Sequence, residues 1–151
     1  LTKHRAAYQK FHKKATNTSA KTHFMARIQV LDFELMQYSG YVKIGSDLTN
    51  FQVIFDTGSS YLWVASSECT SCVTSGLTQF FDCSSSSSCD NLDSQMTVSY
   101  GSGSLKGTFV EDTVQLGDYT AEDQNFLTVT EVSDFDSSVK NVKIAILNHT
   151  Q

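Results

Sequence analysis

The chain has 151 residues, 40% apolar and 18% charged, a globular composition of about one domain rather than a disordered one. It contains no proline, although average usage of ~5% would give about seven, so collagen-like and Pro-rich architectures are excluded. The net charge of −5 conceals an asymmetry: residues 1–27 hold seven Lys/Arg and no acid, whereas residues 28–151 set four Lys/Arg against sixteen Asp/Glu, a net −12.

A body this acidic repels nucleic acid and tolerates an acidic compartment, where carboxylates are partly neutralised. The basic head interleaves only Tyr8 and Phe11 as aromatics, so no nucleic-acid partner is expected. No apolar run approaches the ~20 residues of a membrane span, so no membrane partner is expected either. The chain opens at Leu1 rather than Met and without a secretory signal pattern, as a processed or clipped piece would.

Residues 1–27 space Ala7, Phe11 and Ala15 in a loosely helical way. They read either as a solvated tail or as an inhibitory segment lying on the acidic body. From residue 28 the pattern changes to short runs rich in Val, Ile, Phe, Tyr and Thr. Tyr41–Ile44, Phe51–Phe55 and Tyr61–Val64 read as strands, and Thr97–Tyr100, Thr108–Val110, Thr113–Leu116 and Asn125–Val129 form a second group. Many short strands with evenly spaced turns predict an all-β sandwich or barrel-like fold. Between the groups lies a polar insert, residues 66–95, whose serine run Ser84–Ser88 predicts an exposed loop.

That insert holds all four cysteines, Cys69, Cys72, Cys83 and Cys89. An even count in one loop favours two local disulfides, and of three pairings Cys69–Cys72 with Cys83–Cys89 is preferred. Cys69-Thr-Ser-Cys72 has CxxC spacing, but a zinc ribbon wants a second CxxC or a close histidine pair, and a thioredoxin-like site wants a βαβ unit. No metal and no cofactor are expected. Asn17-Thr-Ser and Asn148-His-Thr are glycosylation sequons, consistent with a secretory route.

Two motifs carry chemistry. In Phe51-Gln-Val-Ile-Phe-Asp56-Thr57-Gly58-Ser59-Ser60-Tyr-Leu-Trp63-Val64, an apolar strand runs into a carboxylate and apolar residues then resume. Such an Asp is costly unless hydrogen-bonded, and the hydroxyls and backbone N–H groups of Thr57, Gly58 and Ser59 can supply the bonds. An isolated Asp-Thr-Gly often closes a tight hairpin, but here strands flank it on both sides. In Val98-Ser-Tyr100-Gly101-Ser102-Gly103-Ser104-Leu-Lys-Gly107, two strand-like arms bracket a Gly/Ser-rich tip, the pattern of a mobile β-hairpin. It misses GxGxxG by one residue and lacks the Gly-Lys-Ser/Thr order of a phosphate loop. All four histidines lie near the termini and no Gly-x-Ser-x-Gly elbow exists, so a serine or cysteine nucleophile has no visible base.

Together these motifs resemble the N-terminal lobe of pepsin-like aspartic proteases, family A1, over roughly residues 30 to 131. Tyr38-Ser-Gly40-Tyr-Val-Lys-Ile44-Gly45 is similar to the family's first hairpin, Ile54–Ser60 with Leu62-Trp63-Val64 to its catalytic-Asp signature, and Tyr100–Ser104 to its flap. Asp112-Thr-Val-Gln-Leu-Gly117 and Gln124-Asn-Phe126 are similar to the strands that follow, and Cys69 falls where the family's small disulfide loop begins. The resemblance implies an all-β, double-psi β-barrel-like lobe over residues 28–151, preceded by a basic propeptide-like segment, 1–27. It implies that Asp56 is one of two catalytic carboxylates sharing a proton, one activating water and the other donating to the scissile carbonyl. Thr57, Gly58 and Ser59 would support the catalytic loop, and Tyr100, Gly101 and Ser102 would close over an extended peptide or protein substrate. Trp63 would back Tyr100.

The sequence departs from the family in one respect that matters for chemistry: it has a single Asp-Thr/Ser-Gly triplet, since Asp112-Thr-Val and Asp136-Ser-Ser lack the glycine. The segment Val142–Asn148 carries no glycine where the family threads an apolar-apolar-Gly strand beside the catalytic loop, which would let Ile146 or Leu147 crowd that loop. The expectation is an aspartic endopeptidase whose second Asp comes from outside this chain, from a missing C-terminal lobe. The alternatives are a lobe that binds extended peptides without cutting them and a homodimer pairing two Asp56. The expected location is the secretory pathway, either extracellular or in a lysosome- or vacuole-like acidic compartment.

Overall fold

The computed structural model describes residues 8–11, 24–27, 31–33, 37–56, 61–100, 103–134 and 143–145, with side chains from Tyr38 to Asp134. Among the described residues ten strands run in chain order: β1 Tyr8–Phe11, β2 Phe24–Arg27, β3 Leu31–Phe33, β4 Gln37–Ile44, β5 Thr49–Phe55, β6 Trp63–Ala65, β7 Asp90–Tyr100, β8 Gly103–Leu116, β9 Tyr119–Ser133 and β10 Lys143–Ala145. Helix is confined, among the described residues, to α1, Thr70–Thr74, and a 3-10 turn at Cys83–Ser85.

The all-β expectation holds, and eight strands form one sheet ordered β10-β5-β4-β8-β9-β6, with β3 added to β4 and β7 to β8. The β4–β5, β4–β8, β7–β8 and β8–β9 pairs are antiparallel, while β5–β10 and β6–β9 are parallel. As a ladder the sheet is open, yet β10 and β6 at its two ends lie side by side. Bulges between Lys106 and Gly107 and between Asp112 and Val114 interrupt the β8–β9 register, and such insertions bend and twist a strand pair.

Alternation explains the two cores. Val42 and Ile44, Phe51 and Val53, Leu62, Val64, Val110, Val114, Leu116 and Phe126 fill one, and Trp63, Ala65, Leu105, Leu127, Val129 and Val132 fill the other. Strand β6 sends Val64 into the first and Trp63 and Ala65 into the second, so it is buried on both faces, as is usual for strands in parallel pairing.

Four expectations need correction. The loosely helical head instead contains two strands, with Tyr8↔Arg27 through Phe11↔Phe24 paired antiparallel in a sheet of their own. Aromatics at Tyr8, Phe11 and Phe24 favour extended backbone over a helix lacking a continuous apolar stripe; Ala7 and Ala15 lie outside the described residues. The strand foreseen at Tyr61–Val64 starts at Trp63, with Tyr61 left exposed. Thr108–Val110 and Thr113–Leu116 are one strand, because a bulge rather than a turn separates them. The insert 66–95 is not all loop: α1 occupies part, and its last six residues open β7.

The serine run is likewise only partly exposed. Ser86 is buried because its hydroxyl accepts from the Ser46 N–H at 3.0 Å, while Ser87 N–H donates to Ser46 Oγ at 3.1 Å, tying the run to the β4–β5 turn.

Where β8 passes β9, Gly107 allows backbone contact: a Cβ there would strike the Thr128 carbonyl and lie 2.9 Å from the Leu127 side chain. Gly107→Ala is expected to lower stability by about 1–3 kcal/mol through forced separation of the strands, read as a fall in the denaturant midpoint at unchanged m-value.

Candidate active site

Strand β5 buries Phe51, Val53 and Ile54, and its next residue, Asp56, emerges half-buried. Leu62 is buried six residues later, and its carbonyl accepts from Leu127 N–H at 2.9 Å as β6 begins. Asp56 therefore heads a connection whose two stems, β5 and β6, each belong to a parallel pair. Beside β5 the partner is β10, with Lys143, Ile144 and Ala145 opposite Val53, Ile54 and Phe55. The pairing thus reaches the residue before Asp56. Thr57, Gly58 and Ser59 lie outside the described residues, as do Ile146 and Leu147.

Tyr100 ends β7 and pairs with Gly103, the first residue of β8, across the hairpin tip; Gly101 and Ser102 lie outside the described residues. The Tyr100 ring packs half-buried on the cluster that contains Trp63, Leu105 and Leu127. One apolar cluster thus joins the tyrosine of the second motif to the tryptophan of the first. Gly103, at φ 141°, takes a conformation that side chains disfavour, and a Cβ there would collide with the backbone of Ser133 and Asp134. Ser104 Oγ and Ser133 Oγ share a hydrogen bond at 2.6 Å beside it. The base of the hairpin is thereby fastened to the end of β9.

The disulfides are Cys69–Cys72 and Cys83–Cys89, the preferred pairing, with Cα–Cα distances of 5.2 and 5.4 Å. The first pair is buried around the start of α1, and the second is half-buried against the β4–β5 core. With all four sulfurs in disulfides, the CxxC offers no thiolate to a metal. The sequons at Asn17 and Asn148 lie outside the described residues.

Sequence reasoning missed Asp112. It is 1% exposed, in the inward row Val110, Asp112, Val114, Leu116 of β8. Its Oδ1 accepts from Ser88 Oγ and from Thr113 N–H at 2.7 Å, while Oδ2 has no hydrogen-bond partner. The signal was present: a carboxylate occupying an apolar slot in a period-2 row. Ser88 supplies the side-chain hydrogen bond to this carboxylate.

The arrangement sets a carboxylate at the end of a parallel-paired stem and an aromatic at the tip of the β7–β8 hairpin. It defines an all-β lobe of the pepsin-like class. A family model described as eukaryotic aspartyl protease matches residues 37–143, and the chain belongs to that family. The chain is 44% identical over 96 residues to major aspartyl peptidase 1 of Cryptococcus neoformans, covering 64% of this chain and 19% of the relative. It is 37% identical over 97 residues to procardosin-B of Cynara cardunculus, covering 64% and 19%. It is 36% identical over 118 residues to renin-2 of Mus musculus, covering 78% and 29%. The chain thus spans roughly a fifth to under a third of the length of these curated relatives.

Ser88→Ala removes the hydroxyl that bonds Asp112, and is expected to cost about 1–3 kcal/mol in chemical denaturation, whereas Ser88→Thr, which keeps a hydroxyl, is expected to recover most of the loss.

Proposed function

We propose that this chain is the N-terminal, substrate-binding half of an aspartic endopeptidase, in which Asp56 activates water for peptide-bond hydrolysis together with a second carboxylate from outside the chain. The observation that carries this reading is the placement of Asp56 directly after β5, with β10 laid parallel to that strand as far as Phe55. Strands buried on their inner faces hold the carboxylate in one place, which a general base needs before its proton affinity matters.

Two carboxylates brought within a few ångström cannot both ionise, so the pair shares one proton and its titration belongs to both. The ionised member takes a proton from water as the oxygen attacks the carbonyl carbon; the protonated member donates to the carbonyl oxygen. The resulting gem-diol then breaks its C–N bond, with a proton going to the leaving amine. Thr57, Gly58 and Ser59 would hold the loop around Asp56. Tyr100, Gly101 and Ser102 would fold over an extended peptide and exclude water, and the apolar cluster shared by Tyr100 and Trp63 supports that role.

Residues 1–27 fit a propeptide-like segment, since their seven cations face a body of net charge −12, and acid that neutralises the carboxylates would weaken the attraction. Residues 28–151 then form the lobe. Two disulfides suit an oxidising route, so we place the protein in the secretory pathway, outside the cell or in an acidic lysosome- or vacuole-like compartment.

The lone Asp-Thr-Gly makes the source of the second carboxylate the decisive measurement. Cleavage of a peptide library at acid pH should require a protein carrying a second such lobe, and Asp56→Asn should lower kcat by about a thousandfold while an uncleavable extended analogue still binds. Cleavage by a dimer of this chain alone would assign the second carboxylate to another copy. Undiminished cleavage by Asp56→Asn would overturn the proposal.

A further inference from the structure

The edge of β5 turned away from β4 is covered in two parts, and only one of them is a strand. Along Val53–Phe55 the partner is β10. Immediately before it, the side chain of Gln79 takes over: Oε1 accepts from Gln52 N–H at 3.0 Å, and Nε2 donates to the Asn50 carbonyl at 3.0 Å. A carbonyl at one residue and an N–H two residues later are the pair that a parallel strand residue satisfies with its own backbone. The carboxamide of Gln79 offers one donor and one acceptor at the same spacing, so it stands in for a strand residue at the head of β10.

Gln79 is itself held by its neighbours. Two residues on, Phe81 N–H donates to the Ala65 carbonyl at 2.8 Å, and the Phe81 carbonyl accepts from Ser67 N–H at 2.9 Å, so the segment is tied to the end of β6. The Phe81 ring enters the core and meets the Phe51 ring edge-on, with centroids 6.2 Å apart. Phe51 lies between the two residues whose backbone Gln79 bonds. Residues 79–81 therefore grip β5 by its edge and by its face while bonded to β6.

We infer that Gln79 is a positioning residue for Asp56: the Gln79–Phe81 segment is a strut between β5 and β6, the two stems that carry the Asp56 connection, and the Gln79 carboxamide fixes the point at which β10 joins β5. The inference rests on the role proposed above for Asp56. The strut acts on the carboxylate through the strand. With the Asn50 carbonyl and the Gln52 N–H occupied, the parallel partner cannot extend back along β5 past Val53.

Residue-resolved amide exchange on the 151-residue chain tests the clamp. In Gln79→Ala the Gln52 amide should exchange about tenfold faster, the loss of roughly one hydrogen bond. Gln79→Glu gives a pH signature that general destabilisation would not: the protonated acid can donate to the Asn50 carbonyl, whereas the ionised form can only accept. Above about pH 4 the carboxylate meets the Asn50 carbonyl acceptor to acceptor, and that repulsion drives the side chain off the β5 edge, so protection of Gln52 should be parent-like below about pH 4 and fall above it. Equal Gln52 exchange in parent and Gln79→Ala, or no pH dependence in Gln79→Glu beyond that of the parent, would overturn the clamp.

Peptide cleavage in a protein supplying the second carboxylate tests the positioning. Gln79→Ala should lower kcat about tenfold with KM little changed, and Gln79→Glu should recover it on the acid side. Lost protection with unaltered kcat would overturn the positioning role. A parent that cleaves nothing would defeat the reading of Asp56, while the exchange comparison still decides the clamp.

Discussion

The Phe81 side chain is the contact on which the rest of the lobe depends. Its ring meets Phe51 of β5 at 6.2 Å and Phe126 of β9 at 5.3 Å, both edge-on, the geometry that aromatic quadrupoles favour. Its backbone bonds Ala65 and Ser67 at the end of β6. One residue of the insert thereby joins strands that the hydrogen-bonded ladder leaves far apart, since β5 and β9 are separated by β4 and β8. The sheet curls around that contact.

That constraint gives the insert its purpose in the fold. Cys83–Cys89 closes a ring just after Phe81, and from this ring Ser86 and Ser87 bond Ser46 while Ser88 bonds Asp112. Cys69–Cys72 closes a second ring around the start of α1, where Cys72 N–H donates to Cys69 Sγ and Ser71 Oγ accepts from Val132 N–H at 2.9 Å. The insert is thus fastened at the β4–β5 turn, β8 and β9 by hydroxyls, with the disulfides reducing the conformational freedom that each fastening must overcome.

Much of this was legible in the sequence. Alternating Val, Ile and Phe in 41–55 fixed β4 and β5, because only one register buries Val42, Ile44, Phe51 and Val53 together. The Asp56 and Tyr100 motifs were visible because an apolar run interrupted by a carboxylate, or by a Gly/Ser tip, has few structural explanations. What was hidden depends on distant partners. Nothing local to Ser86 indicates burial, since its partner Ser46 is 40 residues away. Nor does anything local to Gln79 indicate that its amide meets a strand 27 residues earlier. The spacing of Ala7 and Phe11 points to a helix by period alone, whereas the extended preference of Tyr8, Phe11 and Phe24 prevails in the strand pair.

The parallel pairs explain why a carboxylate can be kept at this place. In antiparallel hairpins a turn leads straight back along its own neighbour, so the turn residue is set by the two strands it joins. Here β5 and β6 are connected in sequence but pair with other strands, β10 and β9, in parallel ladders. The connection carrying Asp56 therefore joins two strands whose ladder partners lie elsewhere in the sheet. Each stem has fixings on more than one side: β5 by β4, β10 and the Gln79–Phe81 segment, β6 by β9 and the backbone of Phe81. Under the role proposed for Asp56, a carboxylate between two stems fixed in this way can share a proton with one supplied by a lobe of the same construction.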